Sequence, residues 1–222
     1  MILTVALILQ AAAAHNVAPQ DRRALDREMT RRLRRAIPMA SNIELRSLSI
    51  EPIATCLHKE AAKDTDRFLS TSLMSKEEFE RGTKLLEKHR SCMGQVMSIA
   101  MPVPVLRGAL AQRRLLAQQS TLDTFAGQTA RPMGRVPVAD GRPFLVAYAT
   151  CLAVSQPGWT AAFLRTPSRS PGEKRQFMRF GDALKNCMPV DRSYNVDMPA
   201  LRDEMAAVVD RLVTYGDGAK NA

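Results

Sequence analysis

Apolar residues recur at spacings of three and four along two segments of the chain, which is the pattern of a helix with one buried face. The first stripe consists of Phe79, Gly82, Leu85, Leu86, His89 and Cys92, and the second of Phe177, Phe180, Gly181, Leu184 and Cys187. Each stripe follows an S-x-x-E sequence, in which Ser75 or Ser170 caps the helix N-terminus and Glu78 or Glu173 returns the hydrogen bond. These patterns predict helices that begin after the two serines and run to about Cys92 and Cys187.

Two further helices are predicted in each half of the chain. One carries Phe144, Leu145, Tyr148, Cys151 and Leu152 before the breaker at 156–158, and its counterpart carries Ile53, Cys56 and Leu57. The other begins near Pro104 in the first half and near Pro199 in the second. Aromatic residues, which strands favour, make up only 5% of the chain. We therefore expect an all-α fold.

The two halves of the chain are copies of one unit. The sequence Ala-Thr-Cys-Leu occurs at 54–57 and again at 149–152, 95 residues later. At the same offset, without a gap, the pairs that agree include Phe68 and Phe163, Thr71 and Thr166, Ser75 and Ser170, Glu78 and Glu173, and Arg107 and Arg202. Self-similarity at this long period indicates a duplication. We expect homologous three-helix units at 46–117 and 142–215, an extended linker at 118–141 and a disordered tail at 216–222.

The N-terminus has the features of a secretory signal. Residues 1–9 form an apolar run that passes through Gln10 into four alanines before the polar His15, although no Lys or Arg precedes the run. The run is too short to span a membrane, which takes about 20 residues, but it fits the hydrophobic region of a signal peptide. We predict a signal peptide at 1–14, cleaved after Ala14, and a periplasmic or secreted protein that is not an integral membrane protein.

Positive charge is concentrated after the predicted cleavage site, in a chain whose formal net charge is +10. We predict an N-terminal basic amphipathic helix and connector at 15–45, with Leu25, Met29, Leu33 and Ile37 on its apolar stripe. The residues that could contact an anionic surface are Arg22, Arg23, Arg27, Arg31, Arg32, Arg34 and Arg35. The alternative is a solvated helix that packs on the repeats by its apolar stripe. No recognition helix, zinc finger or interleaved aromatic pattern accompanies the charge, so sequence-specific nucleic-acid binding is not expected.

The four cysteines recur at the repeat offset, which predicts the disulfides Cys56–Cys92 and Cys151–Cys187. The alternative is a zinc site in which His58 and His89 join Cys56 and Cys92. The second repeat has Ala153 and Leu184 in place of the two histidines, so the cysteines recur without them and disulfides are favoured. We expect no metal and no cofactor.

Common catalytic signatures are absent from the sequence: it has no Gly-rich phosphate loop, no G-x-S-x-G elbow, no H-E-x-x-H motif and no dinucleotide-binding fingerprint. We read Glu78 and Glu173 as structural members of the capping boxes and residues 64–66 as a turn. Trp159 is read as a lid over the core, with an exposed binding residue as the alternative. Basicity without catalytic motifs favours a non-enzymatic exported protein that binds an anionic lipid or envelope polymer, or a protein partner. The alternative is an enzyme with a site between the repeats, to which His58, His89 and Tyr148 could contribute. The ligand and the oligomeric state do not follow from the sequence.

Overall fold

The computed structural model describes residues 42–93, 102–168, 170–189 and 194–216, with side chains from residue 50 onward. All regular elements in these ranges are helical. The first repeat contains α1 (Asn42–Glu60), α2 (Ala62–Leu69), α3 (Lys76–Lys88), a 3-10 helix (Arg90–Met93) and α4 (Val103–Ala117). After α5 (Gln119–Ala126), the second repeat contains α6 (Gly141–Ser155), α7 (Pro157–Arg165), α8 (Pro171–Met178), α9 (Asp182–Asn186) and α10 (Met198–Tyr215). The predicted signal peptide, the seven N-terminal arginines and residues 217–222 of the tail lie outside the described residues.

Both predicted helix caps are present. The Ser75 hydroxyl accepts a hydrogen bond from the Glu78 amide at 3.0 Å, and Ser170 accepts from the Glu173 amide at 3.2 Å. The Glu78 carboxylate accepts from the amide of Met74 at 2.7 Å, one residue before the cap. Met74 has a φ of 62°, a left-handed conformation that is unusual for a residue other than glycine. The hydrogen bond to Glu78 helps to hold this backbone in place.

Four predicted segments differ in detail from the structure, and one of them, the turn predicted at 64–66, lies inside α2. The second apolar stripe is split into α8 and α9, because Gly181 adopts a φ of 52° that interrupts the helix. The first stripe ends as α3 at Lys88, and Cys92 lies in the following 3-10 helix. The linker is not extended throughout, since its first part forms α5, whose Leu122 and Phe125 are buried. Burial of these two apolar side chains explains why this segment is helical.

The predicted disulfides are confirmed: Cys56 is bonded to Cys92 and Cys151 to Cys187. Each bond closes a sequence separation of 36 residues and joins the first helix of a repeat to the segment after the capped helix. By the chain-entropy relation, closing a loop of this length stabilises the fold by about 4 kcal/mol. The two bonds therefore compensate for the modest core of each small repeat.

Helices α4 and α10 are equivalent in the two repeats and pack against each other at the centre of the unit that begins at residue 46. Gly108 lies where the two helices cross, because a Cβ atom there would sit 2.4 Å from the Cβ of Asp203. Around this crossing the buried side chains include Leu106, Leu110, Leu201, Met205 and Val209. The core is thus continuous across the two repeats.

A fully buried arginine connects the helices within the first repeat. Arg107 of α4 donates hydrogen bonds to the carbonyls of Leu69 at 2.6 Å and Thr71 at 2.8 Å. It also pairs with the Glu78 carboxylate at 3.3 Å, and its guanidinium lies 5.6 Å from the ring centroid of Phe68. These contacts fix the end of α2 and the start of α3 against α4.

The second repeat contains the same arrangement at the same offset. Arg202 of α10 donates to the carbonyls of Leu164 at 2.8 Å and Thr166 at 2.5 Å, and pairs with Glu173 at 3.0 Å. Its guanidinium lies 5.0 Å from the ring centroid of Phe163. We call each set an arginine clamp. The recurrence of Thr71, Glu78 and Arg107 in the sequence is therefore explained by the fold, and Glu78 and Glu173 do more than cap a helix.

Candidate functional site

The structure places the three residues that could contribute to a site between the repeats in separate hydrogen-bonding environments. His89 lies at the end of α3, where its Nε2 is 2.9 Å from the Asp64 carboxylate. Tyr148 lies in α6 and donates its hydroxyl to the carbonyl of Leu184 at 3.1 Å. His58 forms no hydrogen bond or ion pair with the described residues. No hydrogen bond joins any two of these side chains in the described part of the chain, so they are not positioned for joint acid–base chemistry.

The seam between the repeats contains buried charges that arginines neutralise. Arg142, at the start of α6, binds Glu204 at 2.6 Å and Glu78 at 2.7 Å, and so links the two repeats. Arg114 binds Asp210. Burial opposes ionisation of Glu78, but hydrogen bonds from Arg142 and the charge of Arg107 lower its pKa. These ion pairs hold the seam together, and the carboxylates are already bound by arginines.

Two other carboxyl groups at the seam are harder to ionise. Burial raises the pKa of Glu204, although Arg142 opposes this effect. Burial also raises the pKa of Asp203 well above its usual range, and the neighbouring carboxylate of Glu204 adds to the rise. Asp203 forms no hydrogen bond with a described residue and packs against Gly108. Its position at the helix crossing makes it a group that affects stability.

The sulfur atoms of the first repeat are not available as metal ligands. Cys56, Cys92 and the Glu60 carboxylate lie within 4.8 Å of one another, which is the spacing of a three-ligand site. The two sulfurs are bonded to each other, so neither is a thiolate that could coordinate zinc. His89 is held by Asp64. The zinc alternative therefore lacks its ligands in this oxidised state.

The second repeat contains a groove with an aromatic lining. Its volume is about 460 Å³. The lining consists of Arg135, Tyr148, Phe177, Leu184, Lys185, Met188, Pro189, Tyr194 and Val196. Tyr194 stacks on Phe144 with ring centroids 3.8 Å apart, and burial raises the pKa of Tyr148 to about 12. The phenol is therefore neutral near pH 7, and the groove offers a binding surface rather than an ionised nucleophile.

A second surface on this repeat combines positive charge with exposed apolar side chains. We define the basic face as Trp159, Lys174, Arg175, Met178 and Arg179, which lie on α7, on α8 and immediately after α8. Trp159 is 41% exposed and Met178 is 63% exposed. The Arg179 guanidinium lies 5.3 Å from the Trp159 ring centroid. The interpretation of Trp159 as a lid over the core was wrong, since its ring is at the surface and carries an arginine.

None of the three cations of the basic face forms an ion pair with a described residue. The nearby Glu173 is buried and bonded to Arg202, so it cannot balance them. Asp182 is the only other acidic residue between 166 and 189. Among the described residues, no ion pair neutralises this positive charge, and an anion approaching it gains Coulomb energy.

The equivalent surface of the first repeat is different. The residues at the same offset are Asp64, Phe79, Glu80, Thr83 and Lys84. Here charges are balanced by ion pairs, such as Lys88 with Asp64 at 2.7 Å and Lys76 with Glu80 at 3.4 Å. Because both repeats fold with the same clamps, caps and disulfide, the fold does not require the basic face. Its charge and its exposed Trp and Met are properties of the second repeat alone.

The sequence carries a signal for the basic face in the positions at which the two repeats differ. Residues that recur in both repeats mark the fold. Positions where one repeat has an acid and the other a base, such as Glu80 and Arg175, mark surfaces that have diverged. Comparison with known protein families, curated proteins and solved structures finds no match to this chain.

Proposed function

We propose that this protein is an exported, non-enzymatic binding protein whose basic face holds an anionic partner in the cell envelope or outside the cell. The observation that carries the proposal is the difference between the repeats at one surface. Lys174, Arg175 and Arg179 have no ion-pair partner among the described residues, whereas the equivalent surface of the first repeat is charge-balanced. Unneutralised charge at a position where the fold does not need it favours a role in binding.

Export is supported by two independent features. The apolar run and the alanines at 1–14 have the pattern of a signal peptide, which would direct the protein to the periplasm or outside the cell. The two disulfides are consistent with this, since such bonds persist in oxidising compartments. No helix in the described ranges is long and apolar enough to cross a membrane.

The geometry gives less support to an enzyme with its site between the repeats. No hydrogen bond among the described residues joins any two of His58, His89 and Tyr148. The seam carboxylates Glu78 and Asp210 are bound by arginines. Together with the absence of catalytic motifs, this favours a binding function.

The test is a salt series of binding to anionic probes, namely heparin, polyphosphate and anionic lipid vesicles. The variant Lys174→Gln/Arg175→Glu removes charge from the basic face, and Arg81→Glu/Lys84→Gln makes the same change in net charge on the first repeat. At about 1 kcal/mol per unit of charge near a membrane surface, the change of three charge units in the first variant should weaken vesicle binding on the order of a hundredfold at low salt. The second variant should bind like the wild type. Equal binding by all three proteins would exclude the basic face as the site.

The seven N-terminal arginines are a second candidate for the same partner. Replacing Arg31, Arg32, Arg34 and Arg35 by glutamine measures their share of the affinity. If this variant loses all binding while Lys174→Gln/Arg175→Glu loses none, the partner is held by the N-terminal segment and the proposed site is wrong.

A further inference from the structure

We infer that the anionic partner is the surface of a lipid bilayer, and that the basic face docks on it with Trp159 and Met178 entering the interface. This inference rests on the proposed function and specifies its partner. Compared with a hydrated polysaccharide or polyphosphate, a bilayer with acidic headgroups offers negative charge and an apolar layer side by side. The basic face presents the complementary pair of properties.

Exposed apolar side chains separate a bilayer from a hydrated polyanion. Met178 is 63% exposed and lies in α8, four residues after Lys174 and one before Arg179. A thioether gains nothing from a polysaccharide or polyphosphate chain, but transferring it out of water into the acyl boundary is favourable. Its exposure therefore favours an occupant with an apolar phase.

Trp159 adds a second argument. Tryptophan is enriched where membrane meets water, because the indole has an apolar body and one hydrogen-bond donor. Here the ring is 41% exposed, and the Arg179 guanidinium lies over it at 5.3 Å. The stacked arginine orders the ring and places a positive charge beside it. Arg179 can then contact a headgroup phosphate while the neighbouring Trp159 ring contacts the acyl boundary.

The long basic side chains of the basic face suit a position at the membrane–water interface. Lys and Arg can keep their charged ends at the headgroups while their methylene stems lie along the apolar boundary. In the first repeat the residues at the positions of Trp159, Arg175 and Met178 are Asp64, Glu80 and Thr83. The carboxylates of Asp64 and Glu80 would be repelled by an anionic bilayer, and Thr83 is short and polar. The other two positions hold Lys84 and Phe79, which is 64% exposed. The two faces therefore differ mainly in charge, and one chain contains the docking face and a less basic counterpart.

Trp159 is the only tryptophan of the chain, so its fluorescence reports on this face in the unmodified protein. With phosphatidylglycerol vesicles at low salt, we expect a blue shift of the emission and quenching by lipids brominated on the acyl chain. With phosphatidylcholine vesicles we expect neither. Vesicle binding without shift or quenching would overturn the inference, because the face would then lie away from the apolar layer.

Two substitutions that introduce the equivalent residue of the first repeat make the test more specific, and both keep Trp159 as the fluorescent reporter. Arg175→Glu should weaken binding to phosphatidylglycerol vesicles by tenfold or more, and Met178→Thr should reduce bromolipid quenching with little change in the binding of heparin. Arg81→Glu on the first repeat is the charge-matched control and should behave like the wild type. Wild-type affinity and quenching in both test variants would overturn the inference.

The soluble probes separate failure of this inference from failure of the proposed function. If heparin or polyphosphate binds through Arg175 but vesicles do not bind, the anionic-partner function stands and the bilayer is wrong. If no anionic probe binds at low salt, both are wrong. If vesicle binding is lost only when the N-terminal arginines are neutralised, and Trp159 is never quenched, the docking face is wrong.

Discussion

Gly108 and Asp203 occupy equivalent positions in the two repeats, and in the folded protein they are in contact with each other. In an arrangement with two-fold symmetry, a residue on the axis meets its own equivalent. The contact is the one expected for a pseudo-two-fold axis that passes through the crossing of α4 and α10.

Gly108→Ala should be destabilising. The added Cβ would lie 2.4 Å from the Cβ of Asp203 and 2.5 Å from its Cα, so the helices must separate. Overpacking of this kind costs about 1–3 kcal/mol, measured as a lower free energy of unfolding in urea. Gly134→Ala is the control, because no atom lies within 4 Å of its added Cβ. Equal stability of the two variants would contradict the close crossing.

The arginine clamps should stabilise both repeats, and Glu78 keeps Arg142 as a second partner when Arg107 is removed. Arg107→Ala leaves the buried Glu78 and two carbonyls with fewer partners, and Arg202→Ala does the same to Glu173 and its carbonyls. Removing one member of a buried pair costs about 3–5 kcal/mol, so thermal unfolding should occur at a much lower temperature.

The control for the clamps is Arg113→Ala, which removes a half-exposed pair with Glu51. A surface pair contributes at most about 1 kcal/mol, and its loss should be barely detectable. If Arg107→Ala is as stable as Arg113→Ala, the buried clamp does not stabilise the fold.

Asp203→Asn should stabilise the protein at neutral pH. The pKa of Asp203 is raised well above its usual 3.8 by burial, so the contribution of this residue is fully present below about pH 4 and is lost as the pH rises through its folded-state pKa. The amide cannot ionise and avoids this loss. The free energies of unfolding of variant and wild type should therefore converge near pH 4 and diverge above it.

The matched control for Asp203 is Asp123→Asn, in which an exposed carboxylate that pairs with Arg165 at the surface is neutralised. It should show no gain at pH 7. A gain of the same size in both variants would indicate a general charge effect rather than burial at the helix crossing.

Export and disulfide formation can be tested in one intact-mass measurement. Protein expressed with its native N-terminus in a bacterium that can export it should lack residues 1–14, and its four cysteines should resist alkylation without a reductant. An intact Met1 with four alkylated cysteines would contradict both the compartment and the pairing.

Much of the fold was accessible from the sequence because the duplication repeats its requirements. Cys56, Ser75 and Glu78 recur in the second copy, and the disulfides and caps followed from that recurrence. The break at Gly181 did not follow, since Phe177, Phe180 and Leu184 fit one continuous helix and only the backbone conformation of Gly181 interrupts it. Local spacing cannot show where a glycine takes a positive φ.

The partners of the arginine clamps and the candidate site were harder to predict from the sequence. Arg107 recurs as Arg202, but its carbonyl acceptors lie 36 and 38 residues away, beyond any local pattern. Lys174 and Arg175 resemble the solvated side of an ordinary helix, and only the structure places them beside an exposed Trp159. Such surfaces depend on which helices become neighbours.

The contact between Gly108 and Asp203 also bears on the origin of the chain. If a single ancestral repeat paired with itself about this axis, it met its own residue there: two glycines leave a gap, and two aspartates bring like charges together. Two copies that can diverge, as in this chain, can set a glycine on one side and an aspartate on the other. Duplication thus released the two halves from self-complementarity, and one half could then keep its ancestral surface chemistry while the other changed.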